Sequence, residues 1–558
     1  MNGYGMAHHR ATQPGTALYA RALVIREATG GSVVICCVDM AMVTHAMRDA
    51  ARQRLAEVIG DEFSDESFVL TCTHSHSTPG GCGYEALYNL VTPGFVPEHL
   101  DAVTDAVTRA VSEAWSSAAA ADLTLGRSTF PPAEAVAWNR SVASYNRNPG
   151  IIRREPSEAH LAIDREMAVL SVRRDGEVEA LMSLFGVHAT CIGNTHDSHD
   201  GDNKGRAAAE AERRLGSSGG STPVAIFAQG TAGDVSPHYH GPGQWRRRKR
   251  VRRSGDHAYA QRNAEMQAAR ALSATDDPAQ TTIAGQLDAV FTYRDLSDIA
   301  VDPSHVGGVQ GARTSDPCHG VAFFEGTPVD GRGVPKPVGW LARGLARVQR
   351  WRRLSRSGGS AESQYYRSLH ESQGPKDILL EDARKLALGR ALDRVLLPDF
   401  VDPTVAEMKR EARVGAVELS PMVPTILPLQ IVRIGSLAIV CCPGEFTTMA
   451  GSAIRETVAE VLAAAGVADV VILTYCNDYM GYVTTTEEYR EQRYEGGHTI
   501  FGQWTLGAFQ TIASGLAERL ATDRDHRPSD DGQRPPAPIP SELDARSNLA
   551  PRGSRGRF

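Results

Sequence analysis

SFVLTCTHSHSTPGG, Ser67 to Gly81, begins as an apolar run of strand length and ends in a Pro-Gly-Gly turn. Such a short apolar run without alternation marks a buried strand. The pattern repeats outward from it. Val33 to Met40 is a second buried strand, and Met47 to Ile59 between them has helical spacing with its charges on one side. Pro97 to Trp115 reads as a helix, with Glu98 and Asp101 near its positive end. Val224 to Ala228 is another strand. Ile426 to Ile434 and Leu437 to Cys442 form a strand pair turned at Gly435-Ser436. Met449 to Ala465 is helical and Val470 to Thr474 extended. The alternation predicts an α/β fold of mixed sheets with flanking helices.

The bulk numbers narrow the function classes. With 558 residues, 42% of them apolar, the chain can bury a sizeable core. A net charge of -7 is small for this length and gives no reason to expect nucleic acid as a partner. No run of ~18 apolar residues occurs, so no membrane span is predicted. The nine cysteines are an odd number without a C-x-x-C, and Cys36, Cys37, Cys441 and Cys442 lie in strand-like runs. They read as buried thiols in a reducing compartment rather than disulfides or zinc ligands. The N-terminus shows no secretory signal. From about Asp523 the chain turns polar and Pro-rich, so residues 1–523 are expected to form one large domain and 524–558 a disordered tail.

Five segments could carry chemistry. In THSHSTPGG, His74 and His76 share a face if the strand persists, so one could bind a metal while the other moves a proton. The pair reads equally as inert polar residues at a strand end. His188 ends a strand-like run in LFGVHATCIGNTHDSHDGDNKG, followed by a loop in which His196 and His199 read as solvated. Gly201-Asp202-Asn203 reads as a helix cap or as site-shaping residues. In IFAQGTAGDVSPH, Ser236 lies on a loop beyond a strand end, as a nucleophile, a positioning hydroxyl or a turn residue. In CCPGEFTTMAG, Glu445 fits a helix-start charge or a zinc ligand. Finally Tyr475, Tyr479, Tyr482, Tyr489 and Tyr494 crowd one stretch, as a site or a packed aromatic wall.

Together and in order, these segments resemble the neutral (non-lysosomal) ceramidase family. NRSVASYNRNP (Asn139 to Pro149) and FFEGTPVDGRG (Phe323 to Gly333) add to the likeness, which spans roughly Asn2 to Asp523. The resemblance implies one zinc ion on His74, His188, Glu445 and Tyr482, a set that leaves a position for water or a substrate carbonyl. It further implies His76 as a proton-transfer residue, Ser236 as nucleophile or positioning serine, and Arg140 and Tyr494 beside the scissile amide. The expected reaction is hydrolysis of the linear amide of ceramide to a fatty acid and a sphingoid base. The same zinc chemistry on another N-acyl lipid or small amide is the alternative. A non-catalytic lipid-binding relative fits less well, because every metal and catalytic position is filled.

Some features depart from the family pattern. Thr78 stands where the family usually has glycine. The opening strand, the signal peptide and the immunoglobulin-like C-terminal domain are not seen, so a cytoplasmic location is expected for the chain as it stands, whereas family members are typically secreted or at the membrane surface. The basic cluster Arg246 to Arg253 and the segment Trp340 to Arg356 read as solvated surface, or as contacts to an anionic membrane.

Overall fold

Continuous burial decides the sheets. Ser32–Val38 sends Val33, Ile35 and Cys37 to one side and Val34, Cys36 and Val38 to the other, and both sides are buried. It pairs antiparallel with Ala20–Arg26 and parallel with Phe68–Cys72. A second sheet runs Leu287–Asp295, Ile426–Ile434, Leu437–Cys441 and Asp469–Leu473, the last pair parallel. A third runs Thr281–Ile283, Asp122–Thr129, Glu166–Arg174, Glu177–Leu184 and Val224–Ala228, again ending in a parallel pair. This is a computed structural model that describes every residue except 7, 29–30, 93, 217–221, 239–253, 328, 332, 356–357, 396, 398, 400–402 and 548–558.

Each sheet thus has one parallel pair, and a parallel pair needs a crossover. The crossovers are the helices His45–Ile59, Thr448–Leu462 and Asp202–Leu215. One face of all three sheets meets in a shared core, with Ile35 and Val69 from the first, Ile439 and Val471 from the second, and Leu170 and Met182 from the third. Helices cover the outer faces. His45–Ile59, Pro97–Ser116, Thr448–Leu462 and Thr505–Ala521 pack on the first two sheets, and Asp202–Leu215 and Ser254–Thr275 on the third. The expected mixed α/β architecture is the one observed, and all nine cysteines are free and buried.

Capping explains where boundaries moved. Thr44 accepts from the Met47 N–H at 3.4 Å, so the first crossover helix starts at His45 rather than Met47. Glu445 is not a helix cap. It lies in a two-residue strand, Glu445–Phe446, paired parallel with Tyr482–Val483, and Thr447 caps the next helix instead.

The described part of the tail, which ends at 547, makes specific contacts with the body. Arg527 pairs with Asp288 at 2.6 Å. In the helix Pro540–Arg546, the Glu542 carboxylate accepts from the Leu419 N–H and, at 2.7 Å, from the Ser420 N–H. Arg546 is fully buried and donates to the Tyr84 carbonyl. A count of apolar residues misses this anchoring, because the tail is held by charge-assisted hydrogen bonds. The basic cluster Arg246 to Arg253 lies outside the described residues.

Candidate metal centre and active site

The three crossover units aim their strand ends at one place. His74 follows Phe68–Cys72, His188 follows Glu177–Leu184, Glu445 follows Leu437–Cys441, and Tyr482 lies beyond Asp469–Leu473. Val224–Ala228 leads on to Ser236. Ligand sites of α/β sheets form off such carboxyl ends. The backbone is strained there. His74 (φ 62°), Tyr475 (φ 56°) and Asp202 (φ 53°) are left-handed non-glycine residues. Each such residue costs on the order of 1–3 kcal/mol and persists where its surroundings fix it. Asp202 is fixed by the N–H groups of Cys191 (3.1 Å) and Ile192 (2.8 Å), which it accepts, and the Asn203 amide donates to the His188 carbonyl at 3.1 Å. The site-shaping reading of this pair is the one the contacts favour. Gly481 (φ 86°) sits just before Tyr482, where a Cβ would lie 2.5 Å from the His498 ring.

Four side chains converge. His188 Nε2 lies 3.0 Å from Glu445 Oε2 and 3.3 Å from Tyr482 Oη. His74 Nε2 lies 3.5 Å from Glu445 Oε1. Ligands around a tetrahedral zinc at ~2.0–2.1 Å stand roughly 3.3 Å apart, so these separations fit that ion. The tautomers fit as well. His74 Nδ1 meets the Ala41 carbonyl and His188 Nδ1 the Val235 carbonyl at 2.9 Å. A carbonyl only accepts, so each Nδ1 carries the proton and each Nε2 presents a lone pair to the centre. Burial pulls His74 down to about 4, leaving it neutral as a ligand must be. Glu445 accepts from the hydroxyls of Tyr475 (3.3 Å) and Tyr479.

His76 is held differently. Its Nε2 lies 3.0 Å from His74 Nε2, and its buried Nδ1 meets no hydrogen-bond partner among the described residues. The ring edge of Tyr4 packs on it at 4.7 Å, and Gly3 approaches so closely that a Cβ would lie 2.5 Å from the His76 ring. By distance alone His76 joins His74 and His188 in one potential metal-binding group, their ligand atoms within 4.8 Å of one another.

Arg140 links the remaining residues. It is buried and donates to Tyr482 Oη (2.9 Å), Glu495 (2.9 Å) and Asp330 (3.0 Å). Its guanidinium stands 5.5 Å from the Tyr494 ring centre, and Tyr494 is only half-buried. Ser236 donates to Asp330 at 2.9 Å and accepts from the His238 N–H. Sequence reasoning gave no role to Asp330, which also accepts from Thr190 at 3.1 Å. A buried arginine demands carboxylates, and that demand was the available signal. Thr78 is buried, with its hydroxyl turned to the Ser75 carbonyl at 3.0 Å. His196 is held by Asp256 at 3.1 Å and does not join the histidine cluster.

The fold and the site define an α/β enzyme whose histidines, carboxylate and phenol meet off the strand ends. The profile described as "Neutral/alkaline non-lysosomal ceramidase, N-terminal" matches residues 1–388 and 408–511. The chain belongs to this enzyme family. It is 32% identical to the neutral ceramidase of Mycobacterium tuberculosis, over 96% of this chain and 76% of that protein. It is 30% identical to the neutral ceramidase of Pseudomonas aeruginosa, over 94% and 70%. The crystal structure of neutral ceramidase from Pseudomonas aeruginosa superposes with a TM-score of 0.75 at 28% identity, covering 96% of this chain and 74% of that one. A structure described as "Ceramidase complexed with C2" gives 0.77 at the same identity and coverage.

Proposed function

We propose that this chain hydrolyses the amide bond of ceramide with the help of one zinc ion, releasing a fatty acid and a sphingoid base. The observation that carries the reading is the convergence of two carbonyl-fixed imidazoles, a carboxylate and a phenol in a ceramidase-family fold. His74, His188, Glu445 and Tyr482 would hold the zinc, which when bound supplies Lewis-acid chemistry to the amide carbonyl and the attacking water.

The side chains account for the rest. His76 is neutral, because burial pulls it well below its usual range, and no carbonyl fixes its tautomer. It takes the water's proton and returns one to the leaving amine. Arg140 directs positive charge at the oxyanion that develops, with Tyr494 beside it. Ser236 donates to a carboxylate already paired with Arg140, not to an imidazole. An acyl-enzyme route needs a strong base at that hydroxyl, and an arginine-paired carboxylate is a weaker one than an imidazole, so the contacts favour water attack, with Ser236 as a positioning group. Such a substrate is drawn from a bilayer, so the reading includes peripheral contact with a membrane surface. Among the described residues no helix is long and apolar enough to cross a membrane.

A panel of N-acyl amides tests the substrate. Release of sphingosine from ceramide is expected. Cleavage only of amides lacking a sphingoid base would move the assignment to another N-acyl compound.

A further inference from the structure

Lys336–Leu354 (KPVGWLARGLARVQRWRRL) is amphipathic in the reverse sense. Trp340, Leu341, Leu345, Val348, Trp351 and Leu354 are all exposed, the two tryptophans at 68% and 67%. They are half of the large apolar residues exposed among the described part of the chain. At 3.6 residues per turn the six fall within about half of the helix circumference. Gly339 and Ala346 are buried on the opposite side. Four of its arginines bond to the body, although Arg347 stays largely exposed, and Arg352 is exposed. Arg343 pairs with Glu325 (2.6 Å), Arg347 with Asp377 (3.0 Å) and Arg353 with Glu381 (2.6 Å), while Arg350 donates to the Gly374 carbonyl (2.6 Å). A surface helix normally buries its apolar face. Here ion pairs tie Arg343 and Arg353 to the body and leave the apolar residues, with Arg347 and Arg352 among them, in solvent, an arrangement that marks an interaction site.

We infer that this helix is a membrane-docking element whose outer face lies in the headgroup region of an anionic phospholipid bilayer. The inference rests on the reading that the substrate is a bilayer lipid. Charge favours that occupant, since the helix carries basic residues and no acidic one, and Lys336 and Arg352 are exposed. Two indoles on an apolar face with basic neighbours match the composition of helices lying in the interface plane. Position favours it too. The helix follows the loop bearing Asp330, which touches Ser236 and Arg140. Arg343 holds Glu325, next to the turn Val321–Phe324, whose Phe323 ring packs 5.4 Å from half-buried Tyr494. A bilayer on this face therefore lies beside the most open residue of the site.

Flotation of the zinc-loaded full chain tests this, with vesicles of phosphatidylcholine alone or mixed with phosphatidylserine. The wild type is expected to float with the mixed vesicles. A Trp340→Ser/Leu345→Ser/Trp351→Ser variant should lose about tenfold in partitioning, with unchanged thermal midpoint and elution volume. Negligible binding of the wild type to both vesicles would overturn the proposal, as would equal partitioning of wild type and variant. A dimeric wild type and monomeric variant without flotation would overturn it in favour of a second copy of the chain. Flotation reads no turnover, so bound protein that leaves ceramide intact would sink only the substrate reading, and unbound protein that cleaves detergent-solubilised ceramide would sink only the docking.

Discussion

His74 and His76 are two residues apart and their imidazoles meet at 3.0 Å, yet their environments assign them different work. A carbonyl locks His74 with its lone pair inward, while His76 has no such lock. The account predicts that His74→Ala loses both bound zinc and turnover. His76→Ala should keep its zinc and lose turnover by about 10²–10⁴-fold. Metal analysis beside a rate assay separates the two, and loss of zinc from both variants would make His76 a ligand. Tyr479 donates to Glu445 and so would orient a proposed ligand. Tyr479→Phe is expected to weaken zinc affinity about 10–100-fold, measured by chelator competition; unchanged affinity would deny the hydroxyl that role. The eight residues that the resemblance implied as metal-binding or catalytic lie in one cluster, connected through Asp330. Their proximity was legible through the ordered motifs, while their roles belong to the proposal. Local reasoning alone read Glu445 as fitting a cap, because a charge after Pro-Gly looks the same whether a strand or a helix follows. Asp330 stayed hidden because its partners Arg140, Thr190 and Ser236 come from distant parts of the chain.

Among the elements, the strands that were read lie within a few residues of those observed, since burial on both faces leaves a plain apolar run, whereas Ala20–Arg26, Asp122–Thr129, Glu166–Arg174 and Leu287–Asp295 were not read, and only the end of Glu177–Leu184 was. The contacts of the tail are polar bonds that composition does not report. Burial alone would raise the Asp288 carboxyl, but hydrogen bonds from Arg527 and Arg524 outweigh it and hold it below the usual carboxylate range. A depressed folded-state value contributes stability above the unfolded value, and that contribution fades as pH falls through the folded one. Asp288→Asn is therefore expected to destabilise by about 1–3 kcal/mol near neutrality, with the gap to wild type closing in acid. Urea unfolding across pH measures this, and a gap that widens in acid would refute it. Truncation after Asp523 should likewise lower the thermal midpoint, since it strips Arg524 and Arg527 from Asp288 and the Glu542 carboxylate from the Leu419 and Ser420 N–H groups. An unchanged midpoint would show that the tail adds nothing.

For the whole molecule, three sheets share one core, and each sends the carboxyl end of a parallel strand toward the same centre. The sequence announced some of the strands but not their convergence, which depends on how sheets from three stretches of chain pack. That convergence is the physical ground for a zinc site of four residues, and it admits a direct test. Protein stripped of metal is titrated with zinc while ceramide hydrolysis is followed. The account predicts activity that rises to a plateau at one zinc per chain and never appears in His74→Ala. Equal cleavage of ceramide by the metal-free protein, or stoichiometric zinc with no amide cleaved, would contradict it.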